Sequence, residues 1–137
     1  MIVADTGAIL ALVDVDDPHH DSLKEVWEAA PERWVLPWAI LPEVDYLLAT
    51  QLGARAEETF LEDLAAGAWN VEWGLEEDLL SARKIAAKYR GLKVGLVDAI
   101  VVAVARRLKA EAVATLDLRH FGPIVGPSGP RLIPRDL

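Results

Sequence analysis

The 137-residue sequence has no cysteine, one methionine, two phenylalanines and two tyrosines, although it holds five tryptophans. Without cysteine there is no disulfide framework and no thiolate to grip zinc or an iron–sulfur cluster. No apolar run is long enough to span a bilayer, which needs about 20 residues. The longest, Val94 to Ala105, is interrupted by Asp98. The N-terminal residues lack the positive segment that precedes the apolar stretch of a secretory signal. These absences together lead us to expect a cytoplasmic protein with no membrane partner. Apolar material is otherwise plentiful, at 53% of residues, which supplies a core and argues against disorder. The length suits one domain over residues 1–137.

Positive charge is also scarce, but unevenly so. Residues 1–80 hold 18 acidic against 3 basic side chains, and residues 81–137 hold 4 against 11. The two parts therefore carry −15 and +7, which make the net charge of −8. Phosphate contacts need lysine and arginine, so the acidic part is a poor nucleic-acid surface. The basic part remains a candidate one.

Ile2 to Ala4, "RWVLP" at 33–37, "AWNVEW" at 68–73 and "AVATL" at 112–116 read as short strands, with a final one at Arg131 to Ile133. Between them, apolar residues recur at helical spacing: Leu23, Val26 and Trp27; then Ile40, Val44, Leu47 and Leu48; then Phe60, Leu61 and Leu64. Gly74 to Tyr89 forms a further helix, and Val94 to Leu108 one that is apolar on nearly every side. The stretch "GPIVGPSGP" reads as a loop. Strands alternating with helices predict an α/β fold, a parallel sheet of four or five strands covered on both faces.

In an open parallel sheet, ligands bind beyond the carboxyl ends of the strands. Asp5 follows the first strand in "VADTGAIL", and Asp117 follows the fourth in "ATLDLRHF". Each alone reads equally as a turn or helix-cap residue. Asp98, in "VGLVDAIVVAVA", is the one polar side chain within a dozen residues. A buried carboxylate costs several kcal/mol unless it is paired or holds a metal; the bland reading places it at the helix start, where the dipole favours an anion. Glu43, in "LPEVDYLL", lies on or beside an apolar helix face. Several such acids cannot all ionise side by side without a cation. An oxygen-only ligand set suits Mg²⁺ or Mn²⁺, which activate water and bind phosphate. Lys88, Arg90, Lys93, Arg106, Arg107, Arg119 and Arg131 flank Asp98 and Asp117 in sequence and are candidates to hold a phosphate backbone.

These four blocks, in this order, resemble the PIN domain, and most of all the VapC-type toxins of toxin–antitoxin pairs. The resemblance runs over essentially the whole chain. It implies a PIN-like three-layer α/β/α sandwich and a Mg²⁺- or Mn²⁺-dependent endoribonuclease that cleaves RNA by hydrolysis. Asp5, Glu43, Asp98 and Asp117 match the acids of that site, with Asp5 and Asp98 as direct metal ligands. Thr6 and Thr115 match its supporting hydroxyl positions. It further implies a homodimer and a cognate antitoxin whose C-terminal segment wraps the toxin. Trp27, Trp34 and Trp38 are candidates for that groove, or else for the core. His19 and His20 read as loop residues outside the site.

Three rivals compete. A haloacid-dehalogenase-like phosphatase would use Asp5 as nucleophile, but it wants a second acid two residues on, where Gly7 stands. A non-catalytic PIN-like module that binds RNA or a partner has no use for a buried Asp98. An aspartic protease, which "DTG" alone suggests, is almost wholly β and does not suit so many helical segments.

Overall fold

The computed structural model describes all residues 1–137. Its strands are β1 (Ile2–Ala4), β2 (Trp34–Pro37), β3 (Val71–Glu72), β4 (Ala112–Ala114) and β5 (Arg131–Ile133). They form one sheet in the order β3-β2-β1-β4-β5, with every pairing parallel. Val3 of the central strand lies opposite Val35 on one side and Val113 on the other. All residues of β1, β2 and β4 are buried, as expected where both faces of a parallel sheet are covered.

Seven helices connect the strands: α1 (Thr6–Val13), α2 (His20–Ala29), α3 (Leu41–Leu47), α4 (Ala54–Ala65), α5 (Glu76–Lys88), α6 (Leu96–Arg107) and α7 (Leu118–Val125). The chain moves outward from β1 to β2 to β3, then returns across the sheet to β4 and β5. Right-handed crossovers therefore put α1 to α4 on one face and α5 to α7 on the other. The packing agrees, with α1 against α2 and α3, and α6 against α5 and α7. In α6, every residue from Ala99 to Ala105 is buried, so the helix that reads as apolar all round is the central one.

The five-stranded parallel sheet and its two helical layers are those expected from the alternation of apolar runs. Three boundaries differ. The stretch "AWNVEW" contributes only Val71–Glu72 to the sheet. The helix expected around Ile40, Val44, Leu47 and Leu48 is segmented: a 3₁₀ turn at Trp38–Ile40, then α3, then a π-helical turn at Leu48–Leu52. It stops at Gly53, whose φ of 101° suits only glycine. Finally, the loop expected around "GPIV" is the second half of α7, which continues through Gly122 and Pro123 to Val125. Its buried Phe121 and Ile124 anchor it to the core, so tertiary packing overrides the breaker signal of Gly-Pro.

β1 sends the chain toward β2 on one side, while β4 lies on the other. The crevice beyond the carboxyl ends of β1 and β4 is thus the topological switch point, where ligands of such sheets bind.

Candidate active site

Asp5 and Asp117 both open onto that crevice. The Asp5 backbone N–H donates to the Ala114 carbonyl at 2.8 Å, which extends the β1–β4 ladder by one bond. The residue is only 6% exposed. It precedes α1, yet its carboxylate forms no aligned capping bond to the helix. Instead the hydroxyl of Thr115 donates to Asp5 Oδ2 at 3.0 Å. The same hydroxyl oxygen accepts from the Asp117 backbone N–H, also at 3.0 Å. One fully buried threonine therefore ties the two aspartates together across the switch point.

Asp117 does cap its helix. Its Oδ1 accepts from the His120 backbone N–H at 3.1 Å, which satisfies one of the free donors of the first turn of α7. That turn carries the His120 ring back over the crevice. His120 Nδ1 lies 2.9 Å from Asp117 Oδ2 and 3.2 Å from Asp98 Oδ2. Neither approach has hydrogen-bond alignment, so the buried Nδ1 has no hydrogen-bond partner. Asp98 is the third residue of α6, after the N-cap Gly95. Its side chain is 21% exposed, so it combines both sequence readings: partly desolvated, and held at a helix start where the dipole favours an anion. Glu43 sits in the first turn of α3 and is exposed. It forms the rim, near enough for its charge to act on both Asp5 and Asp98.

The electrostatics follow from this crowding. Burial pushes the Asp5 carboxyl up to about 6, with the charges of Asp98 and Glu43 adding to it; the Thr6 backbone N–H and the Thr115 hydroxyl offset only part. Asp98 is also raised above the ordinary carboxylate range, first by burial and next by Asp117, with His120 opposing. No lysine or arginine of the chain pairs with any of these acids.

Such a set is short of positive charge and rich in donor atoms. One ligand atom from each of Asp98, Asp117 and His120 can be chosen so that all three lie within 4.8 Å of one another. Thr6 Oγ1 is a second buried polar atom at the same edge without a hydrogen-bond partner. Clustered carboxylates with one imidazole are a donor set suited to a hard or borderline divalent cation.

Of the residues singled out from sequence, the structure brings Asp5, Asp98, Thr115 and Asp117 together. It puts Glu43 at the rim and Thr6 buried beside them. Asp5 falls outside the tight trio of ligand atoms. His120 is the member that sequence reading missed; its signal is the three-residue spacing from Asp117 on a helix that "GPIV" disguised. His20 is structural, with Nδ1 2.8 Å from the Ala11 carbonyl. Trp34 is fully buried, and Trp27 packs on it and on Trp69 with ring centroids 5.7 and 4.3 Å apart. Those tryptophans are core, and only Trp38 of the three considered is exposed. Arg107 is committed elsewhere, to Asp78 and Glu72, and Arg106 donates to the Ile124 carbonyl at 3.2 Å. Arg107 is therefore not free to hold phosphate as its position in sequence suggested, whereas Arg106 is exposed and forms no ion pair.

A family model described as the PIN domain matches residues 2–122. The chain belongs to the PIN domain family. This PIN domain is 33% identical over 123 residues to Ribonuclease VapC26 of Mycobacterium tuberculosis (strain ATCC 25618 / H37Rv), an alignment that covers 90% of this chain and 91% of the relative. Among crystal structures it matches M. tuberculosis VapC20, described as a sarcin-ricin loop cleaving toxin, with a TM-score of 0.73 at 23% identity, over 82% of this chain and 87% of that one. It also matches DNA-bound VapBC from Salmonella typhimurium, with a TM-score of 0.71 at 19% identity, over 96% and 95% of the chains. At these identities the crystal structures establish the fold, which is the PIN-like α/β/α sandwich that the sequence resemblance implied. No helix is long and apolar enough to cross a membrane.

Proposed function

We propose that this PIN domain is the toxin of a type II toxin–antitoxin pair, acting in the cytoplasm as a metal-dependent endoribonuclease. The observation that carries the reading is the convergence of Asp5, Asp98 and Asp117 at the switch point, with Glu43 on the rim and no lysine or arginine paired with any of them. The 33% identity to a named ribonuclease over nine-tenths of the chain supports the substrate class.

Asp5 and Asp98 are assigned as direct ligands of Mg²⁺ or Mn²⁺, with Asp117 and His120 beside them. When bound, such an ion lowers the pKa of water and offsets charge on the leaving oxygen of a phosphodiester. The chain's own residues do the rest. Thr115 holds Asp5 and Asp117 in register through its two hydrogen bonds. The α6 N-terminus orients Asp98 toward the crevice. Glu43, exposed at the rim, stands where an incoming water can be oriented and its proton accepted. Hydrolysis by water, rather than attack by the ribose 2′-hydroxyl, is the consistent chemistry.

The reading includes a cognate antitoxin and a homodimer. Leu75, Leu79, Leu80 and Leu96 are each more than half exposed, and Trp73 is 72% exposed. Together they leave an apolar surface on the α5–α6 face of the kind that partners cover.

The test is cleavage of RNA by the purified protein with Mg²⁺ or Mn²⁺. Activity disappears with EDTA and falls at least about a hundredfold in Asp98→Asn with folding retained. A variant that cleaves as fast as the parent, in an assay controlled for contaminating nuclease, removes the proposed site.

A further inference from the structure

Between Leu79 and Val97 the chain has no acidic residue and five basic ones. Arg83, Lys84, Lys88, Arg90 and Lys93 are all exposed, and none forms an ion pair within 4.0 Å. Four of them, Arg83, Lys84, Arg90 and Lys93, line a groove of about 490 Å³ whose floor is Ala86, Ala87 and Val94. In a chain of net charge −8, that is a local concentration of free cations with nothing of opposite sign within it.

The groove is joined to the active site by the chain itself. It lies where α5 turns into α6, and Lys93 is five residues before Asp98. Five residues span at most about 17 Å even when fully extended. Arg83 stands in α5 and Arg90 opens the 3₁₀ turn at Arg90–Leu92 that follows it, seven residues on, which is about 10 Å at the helical rise. A cationic track of that length therefore ends within about 17 Å of Asp98.

We infer that this groove is the phosphate track of the RNA substrate, holding the backbone on one side of the scissile bond; the inference rests on the ribonuclease reading above. Two features favour a polyanion over a protein partner. Phosphate recognition asks only for cations, whereas protein interfaces are anchored by large aromatic or aliphatic side chains, and this groove offers two alanines and a valine. A pocket of crowded carboxylates also repels a polyanion, so a nearby compensating surface is needed for RNA to reach it.

The probe is a fluorescein-labelled single-stranded RNA of mixed sequence, bound in EDTA so that it is not cut, over a series of KCl concentrations. In Arg83→Gln/Lys84→Gln/Arg90→Gln/Lys93→Gln the Kd rises about tenfold or more, and the slope of log affinity against log salt flattens by about 2 to 3, near 0.7 for each phosphate that the protein no longer neutralises. With metal present, KM rises and kcat at saturating RNA holds. The pairs Arg83→Gln/Lys84→Gln and Arg90→Gln/Lys93→Gln each give roughly half the change in slope, which covers the case in which the fourfold variant folds poorly. Lys24→Gln/Lys109→Gln, with two cations removed outside the groove, leaves the slope unaltered. An unchanged slope and KM in an active enzyme overturns the assignment. So does a variant that binds RNA normally but loses its antitoxin, because the groove would then belong to the protein partner. A wild-type protein that never cleaves RNA with metal defeats the ribonuclease reading first, and this inference with it.

Discussion

Asp78 and Asp5 are both buried, at 4% and 6% exposure, and the chain treats them in opposite ways. Asp78 stands in the first turn of α5, and Arg107 grips it twice, Nε to Oδ1 at 2.7 Å and Nη2 to Oδ2 at 3.0 Å. The Leu75 backbone N–H adds a bond at 2.8 Å, and Arg107 also reaches Glu72 at 2.9 Å. Burial pushes the Asp78 carboxyl up, but the Arg107 and Leu75 bonds outweigh it and hold it below the ordinary range. Asp5 has the Thr6 backbone N–H, the Thr115 hydroxyl and no lysine or arginine, and it stays raised to about 6. Where an acid is structural, the sequence supplies its counter-ion. At the switch point it supplies more acids and only His120 to oppose them, an imbalance that the proposed divalent cation would relieve.

Removing Arg107 disturbs this contrast most severely. Arg107→Ala leaves Asp78 buried and unpaired, and urea unfolding will show a loss of about 3 to 5 kcal/mol. Asp5→Asn should do the reverse. Between its ordinary value of 3.8 and its folded value of about 6, folded Asp5 keeps a proton that the unfolded chain has released. Its contribution to stability is therefore greatest below about pH 4 and declines as pH rises toward 6. At neutral pH the metal-free protein bears a cost on the order of 3 kcal/mol from this group. Asp5→Asn, which still offers an acceptor to Thr115, is expected to stabilise metal-free protein by about 2 to 3 kcal/mol at pH 7.5. The gain shrinks toward zero near pH 4 in matched unfolding curves.

His120→Ala probes the same difference from the histidine side of the site. Removing the ring should weaken divalent-metal affinity about ten- to hundredfold, measured by calorimetric titration, while unfolding in EDTA moves little. The smallest effect belongs to Lys24–Glu28, an exposed pair 3.7 Å apart on α2. Lys24→Gln will change stability by less than about 0.5 kcal/mol, which separates counter-charge that matters from charge that merely lies nearby.

Much of this was legible in the sequence because it depends on local pattern. Alternating strands and helices implied the parallel sheet, and position after β1 and β4 put Asp5 and Asp117 on one edge. Asp98 stood out because every other residue of α6 before Arg106 is apolar. The missing parts depend on tertiary packing. His120 joins the site only because α7 continues through Gly122-Pro123, held there by buried Phe121 and Ile124. Arg107 looked free to meet phosphate, yet its partners lie 29 and 35 residues away, and no local spacing announces them. Asp5 read as a plausible helix cap, but the competing Thr115 comes from 110 positions along the chain.

If the acids at the switch point await a divalent cation, that cation must stabilise the folded protein, which thermal unfolding at pH 7.5 with and without millimolar Mn²⁺ will show. Mn²⁺ is expected to raise the Tm of the wild-type protein by several degrees and to leave that of Asp98→Asn where it was. A wild-type protein indifferent to Mn²⁺, or an Asp98→Asn variant stabilised just as much, would mean that these acids do not hold the ion.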